Sequence, residues 1–122
     1  MPSLVELHFI LGRTFMFFVL AMGLWGMVAY VRKQPLGPNY WGALVIGEIV
    51  GVLQVILGVI QWLGGSQPAR GIHFLYGSLA IVIWPATFGY VRGQQESQTE
   101  SLVFGLVSLF LFGIAIRAFT TG

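Results

Sequence analysis

Cysteine is absent from this 122-residue chain, so disulfides, thiolate metal sites and iron–sulfur clusters are excluded. Charge is scarce as well: Asp, Glu, Lys and Arg make up 8% of the residues, against about 25% in soluble domains. Such a chain cannot cover a folded domain with a water-facing surface. The net charge of +2 leaves no basic patch for nucleic acid. The sequence also contains no Gly-rich phosphate loop and no Ser/His/Asp set, so hydrolytic chemistry is not indicated.

Apolar residues make up 57% of the chain and are concentrated in four long runs. The runs cover residues 4–31, 40–63, 72–91 and 102–119. A helix needs about 20 apolar residues to cross a bilayer, and a backbone in lipid must satisfy its own hydrogen bonds. The sequence therefore predicts an all-α, four-transmembrane-helix bundle in one domain, with consecutive helices antiparallel because the loops are short. The first run is too long for a signal peptide, and we interpret it as a retained helix.

The two halves of the chain resemble each other. Residues 8–12 (HFILG) match residues 73–77 (HFLYG), and residues 30–32 (YVR) match residues 90–92 (YVR). This pattern predicts a duplicated helical hairpin with parallel repeats, although the shared Leu, Val and Gly of membrane helices can mimic part of it.

Lys and Arg in short loops set the orientation of a membrane protein. Arg32, Lys33 and Arg92 lie in the first and third loops, whereas Arg70 and Arg117 lie on the other side. The bias favours cytoplasmic first and third loops and extracytoplasmic termini, and we expect the membrane to be a bacterial inner membrane.

Aromatic residues near the ends of the runs are candidates for the membrane–water interface. Tyr40, Trp41 and Trp62 lie at run ends, where aromatic belts form. Trp25 and Trp84 lie deeper in their runs, and we expect both to pack inside the bundle.

The only two histidines, His8 and His73, lie near the start of odd-numbered helices, which run parallel. They should therefore lie at the same depth in the membrane. Each is followed four residues later by a glycine, Gly12 or Gly77, which removes a side chain from the same helix face. Two facing imidazoles with cleared space beside them could provide both axial ligands of a haem iron. The alternative is a pair of interfacial histidines that bond to loops or lipid.

One face of the second helix carries small and polar residues at spacings of three and four. These residues are Gly47, Gly51, Gln54, Gly58 and Gln61. The stripe is typical of close helix packing, with Gln bonding across helices. It could also form one wall of a cofactor site.

Glu48 and Arg13 are the charged residues placed well inside apolar runs. An ionisable group at such depth is a candidate for function. Glu48 could carry a proton, bond to a cofactor, pair with an arginine or be protonated and bonded to backbone. Arg13 could snorkel to the interface, pair with Glu6 or Glu48, or hold a haem propionate. Pro85 should kink the third helix.

Several of these residues resemble half of a haem A synthase and, more loosely, the four-helix bis-histidine cytochrome b membrane proteins. The elements of the resemblance are His8, the LQVILG sequence of residues 53–58, and His73. Glu6 lies two residues before His8, whereas the family places its glutamate three or four before. The synthases also carry two histidine pairs, so the resemblance implies haem b binding more than methyl oxidation.

Three hypotheses follow for the function. The first is a small haem-b-binding membrane protein used for electron transfer or haem handling, with Gln54 and Glu48 around the haem and Arg13 on a propionate. It would be a homodimer or a subunit of a respiratory or photosynthetic complex. The second is a proton-coupled multidrug-type transporter that uses Glu48. The third is an accessory structural subunit without a cofactor.

Overall fold

The computed structural model describes residues 3–65, 71–91 and 97–121 and consists of four long helices. The helices are α1 (Leu4–Val31), α2 (Pro38–Leu63), α3 (His73–Val91) and α4 (Ser97–Thr121). Each is long and apolar enough to cross a membrane, as the sequence predicts. The protein is therefore an integral membrane four-helix bundle. Arg70 and Arg92, on which the predicted orientation depends, lie outside the described residues.

The helix ends are set by capping hydrogen bonds and by residue type, which a hydropathy profile does not show. Ser3 accepts a hydrogen bond from the backbone N–H of Glu6 and caps α1. Pro38 starts α2, where its missing N–H costs no helical bond. The helix α4 begins at Ser97, five residues before the predicted apolar run, so the third loop is shorter than expected. Polar residues can continue a helix beyond the bilayer, and Ser101 is buried there, donating to the carbonyl of Gln34 at 2.9 Å.

The four helices form a ring in chain order. Among the described residues, α1 packs on α2 and α4, α3 packs on the same two helices, and the backbones of α1 and α3 do not approach each other. The helices α1 and α3 are therefore diagonally opposite. The contact between α1 and α4 is the most extensive in the bundle, and that between α2 and α3 is the least.

Glycines bring α1 and α4 into backbone contact. A Cβ placed on Gly26 would lie 2.8 Å from the Cα of Gly105, and one on Gly23 would lie 2.7 Å from the Cδ2 of Leu109. Close approach through small residues is a common way to pack membrane helices, because lipid removes the hydrophobic drive for association. This interface closes the ring between the first and last helices.

The interior of the bundle is apolar and aromatic towards the end formed by the first loop. Trp84 is buried as predicted, and its Nε1 donates to Ser108 Oγ at 3.0 Å. Tyr40 is also fully buried and donates to the carbonyl of Met22 at 3.1 Å, so its placement in an interfacial belt was wrong. Trp25 was likewise misplaced by the sequence, because 43% of it is exposed on the outside of α1. Distance from the run end does not determine which side of a helix faces lipid.

Candidate functional site

The structure brings His8 and His73 together at the end of the bundle where α1 and α3 begin. Their ring centroids are 6.2 Å apart, and the ring planes are inclined by 76°. Both side chains are partly buried. Two helices in diagonal positions thus place one imidazole each at the same depth, which is the arrangement that their matched positions predict.

The ring of His73 is fixed by the last turn of α4. Its Nδ1 lies 2.8 Å from the carbonyl oxygen of Ala118 and 3.4 Å from Thr121 Oγ1. A carbonyl oxygen can only accept, so Nδ1 carries the hydrogen and donates it. The Nε2 of the neutral ring then keeps its lone pair. Metal-binding histidines use this arrangement, in which a backbone carbonyl fixes both tautomer and ring orientation.

The helix turn that carries His8 is fixed by α2. Gln54 Nε2 donates to the backbone carbonyl of His8 at 2.6 Å, and Gln61 Nε2 donates to that of Leu4 at 3.3 Å. The imidazole packs beside Gly58, where an added Cβ would lie 3.2 Å from its Cε1. The Nδ1 of His8 is buried and has no hydrogen-bond partner among the described residues. A buried polar atom without a partner is costly.

The glycines near the histidines differ in what they face. Gly77 has open space where a Cβ would lie. The space beside Gly12 is instead occupied by Gln54, whose Nε2 would lie 2.9 Å from an added Cβ. On this side it is Gly58 of α2 that makes room for the His8 ring. Residue spacing along α1 could not show that a side chain from another helix fills the gap.

Arg117, rather than Arg13, directly adjoins in sequence the residue that bonds to His73. Arg13 is exposed on the outer face of α1, in a shallow groove, and has no carboxylate partner within the described part of the chain. Arg117 directly precedes Ala118, the partner of His73. Its guanidinium carbon lies 5.9 Å from the ring centroid of Tyr76, three residues after His73. Arg13 therefore faces away from the pair, and sequence reasoning undervalued Arg117.

Glu48 does not join the histidines, contrary to its expected place around the same cofactor. It lies ten residues before Gly58 on α2, about 15 Å along the helix axis. It lines a separate cavity of about 520 Å³ between α2 and α3. The other walls of this Glu48 cavity are Trp41, Trp84, Pro85, Phe88 and two aliphatic side chains of α2.

The stripe on α2 is a packing surface along its whole length. A Cβ on Gly47 would lie 2.6 Å from the ring of Phe18, and one on Gly51 would lie 3.1 Å from the ring of Phe15. Gln54, on the same face, donates to the His8 carbonyl of α1. The close packing predicted for this face is confirmed, and at Gly58 the same face borders the histidine pair.

The chain matches no known family model, no curated protein and no solved structure. The resemblance to haem A synthases therefore stays a prediction. In the part of the chain that the structure describes, no group of three or more His, Cys, Asp or Glu side chains could hold a metal ion. Any metal chemistry at this end must depend on the two imidazoles, supported by residues such as Ala118 and Thr121. Sequence reasoning missed both: the Ala118 contact is a backbone carbonyl, which leaves no signal in the sequence, and the Thr121 hydroxyl belongs to a different helix from His73.

Proposed function

We propose that this protein is a small membrane cytochrome b-like protein that binds one haem b through His8 and His73. The separation of 6.2 Å between the two ring centroids carries the proposal. Metal–imidazole bonds are about 2 Å long and each ring centre lies about 1 Å behind its nitrogen, so two imidazoles on one metal have centres about 6 Å apart. The rings already have this spacing.

The surroundings of the two rings support the same function. The bond from His73 Nδ1 to Ala118 leaves Nε2 for a ligand, and His8 Nδ1 has no competing partner among the described residues. Gly77 leaves open space on the α3 side. Arg117 is the cation that would hold a propionate by a charge-assisted bond. Gln54 lies on the α2 side, and its buried Oε1 also has no partner within the described residues.

A haem in this position supplies one-electron redox chemistry, with a potential set by its axial ligands and by the apolar surroundings. The chain's own residues would hold the group and fix the imidazole orientations. Such a protein serves in electron transfer or haem handling, as a homodimer or as a subunit of a larger respiratory or photosynthetic assembly. The outward faces of the helices carry many exposed Leu, Ile, Val and Phe residues, which suit either lipid or neighbouring subunits.

The test is an absorption spectrum of the detergent-purified protein made with added haem, first air-oxidised and then reduced with dithionite. We expect a Soret band, sharp α and β bands on reduction, and one haem per chain. His8→Ala and His73→Ala should each lose the six-coordinate spectrum. Ser78→Ala is the control, because Ser78 lies on α3 but is exposed and bonds only to its own helix at Phe74. It should keep the spectrum.

Two results would overturn the proposal. A colourless protein despite ample haem during expression would show that the imidazoles do not form a haem site. An unchanged spectrum in both histidine variants, with bound haem, would place the ligands elsewhere. Circular dichroism of each variant separates loss of haem from loss of helical structure.

A further inference from the structure

A second cavity lies in the other half of the bundle, away from the histidine pair. The Glu48 cavity has a volume of about 520 Å³, within the range of about 300–1,000 Å³ that is usual for small-molecule sites. It lies between α2 and α3, the pair of neighbouring helices with the least extensive contact. A ligand can therefore enter from the membrane without separating the tightly packed α1 and α4.

The polar feature of this cavity is one carboxyl group. Glu48 Oε2 is buried and has no hydrogen-bond partner within residues 3–65, 71–91 and 97–121. No Lys or Arg in these ranges forms an ion pair with it. Burying a carboxylate in apolar surroundings costs free energy unless a positive group pairs with it or a proton neutralises it. The carboxyl group therefore lies at the wall of the cavity, mostly covered, with no cation beside it among these residues.

The other walls are suited to an organic cation. Trp41, Trp84 and Phe88 line the same space as Glu48. The rings of Trp41 and Phe88 are 5.8 Å apart and nearly perpendicular, at 80°, so they form two adjoining walls. The faces of aromatic rings attract cations, most strongly when water is excluded, and aromatic cages recognise quaternary ammonium groups in this way.

The aromatic wall is held in place rather than loosely packed. Trp84 is 1% exposed, and its Nε1 donates to Ser108 on α4. Trp41 also packs edge-on against Phe104, with ring centroids 5.1 Å apart. Preformed walls reduce the entropy lost when a ligand binds.

We infer that the Glu48 cavity binds a lipophilic organic cation, such as a quaternary ammonium or phosphonium compound with an apolar body. The carboxyl group of Glu48 lies next to the positive charge, and Trp41 and Phe88 contact the apolar groups, with Trp84 packed behind them. The inference does not depend on haem, because the cavity lies about 15 Å along α2 from the turn beside His8. It holds whether or not the purified protein is coloured.

The test is equilibrium dialysis of radiolabelled tetraphenylphosphonium against the purified protein in detergent, with empty micelles as the baseline. We expect saturable binding of one cation per chain. Glu48→Gln keeps the shape of the side chain but removes its charge, and it should weaken binding at least tenfold. Trp41→Leu should weaken binding by a similar factor. Glu6→Gln is the matched control, because Glu6 is exposed at the opposite end of the bundle, and it should bind like the unmodified protein.

Triphenylphosphine oxide, a neutral compound with a similar apolar body, separates charge recognition from simple partitioning. We expect it not to displace the labelled cation. Equal binding by Glu48→Gln and the unmodified protein, or no saturable binding above empty micelles, would overturn the inference. In that case Glu48 is protonated and serves only in helix packing. Should Glu48→Gln fail to give a monodisperse helical protein, Trp41→Leu and the neutral competitor still decide the question.

Discussion

Replacing Gly26 with alanine tests the closest helix contact in the bundle. A Cβ at this position lies 2.8 Å from both the Cα and the N of Gly105, and 3.2 Å from the carbonyl oxygen of Ser101. All three are backbone atoms, so no side chain can rotate away to relieve the contact. Carbon atoms pack best at about 3.5–4.0 Å, which means that α1 and α4 must separate by several tenths of an ångström.

The expected cost follows from overpacking, which destabilises a well-packed interior by about 1–3 kcal/mol. Alanine offsets part of this, because it is favoured over glycine inside a helix by about 0.5–1 kcal/mol. Gly42→Ala is the matched control: Gly42 also lies inside a helix, α2, and beyond its chain neighbours and the adjacent backbone of α2 no atom of the described residues lies within 4 Å of its added Cβ. We expect Gly26→Ala to lower the free energy of unfolding by up to about 2.5 kcal/mol and to be about 1–3 kcal/mol less stable than Gly42→Ala, which should itself be neutral or stabilising.

The measurement is reversible unfolding in mixed micelles, monitored by tryptophan fluorescence and circular dichroism. The difference between the two variants isolates the clash, because helix propensity is common to both. Gly105→Ala should behave like Gly26→Ala, since its Cβ would lie 2.9 Å from the backbone N of Met27. The double variant should cost less than the two single variants combined, because helices that have already separated accommodate both methyl groups. A Gly26→Ala protein as stable as Gly42→Ala would refute the backbone contact between α1 and α4.

Two further substitutions test the buried polar contacts by thermal unfolding in detergent. Ser108→Ala leaves the Nε1–H of buried Trp84 without its acceptor, so we expect the free energy of unfolding to fall by about 1–3 kcal/mol. The control is Ser78→Ala, at an exposed serine bonded to its own helix, which should change stability little. Equal effects of the two substitutions would contradict a stabilising role for the Trp84 bond. Gln54→Leu removes one bond to the His8 carbonyl but also removes a buried oxygen that has no partner among the described residues, so we expect a loss below about 1 kcal/mol. A loss several times larger would show that Gln54 has further partners.

The histidine site was predictable in outline because it depends on helix direction. Short loops make α1 and α3 parallel, and parallel helices bring His8 and His73 to one depth. The partners of the pair were not predictable, because they belong to other helices: Gln54 fills the space beside Gly12, and a backbone carbonyl of α4 fixes His73. Spacing along one helix carries no information about what its neighbour places opposite.

The sequence by itself determined the four membrane-spanning helices, their antiparallel order and the positions of the embedded polar groups. Composition and length suffice for this, because only a helix can satisfy its backbone in lipid. On α2 the stripe of Gly and Gln also indicated the packed face, but for the other helices only the tertiary structure decided which face is buried, since the lipid side and the core side of a membrane helix are equally apolar. That is why Tyr40 turned out to be buried and Trp25 exposed. For the same reason only the structure assigned Glu48 to a cavity between α2 and α3 rather than to the histidine pair.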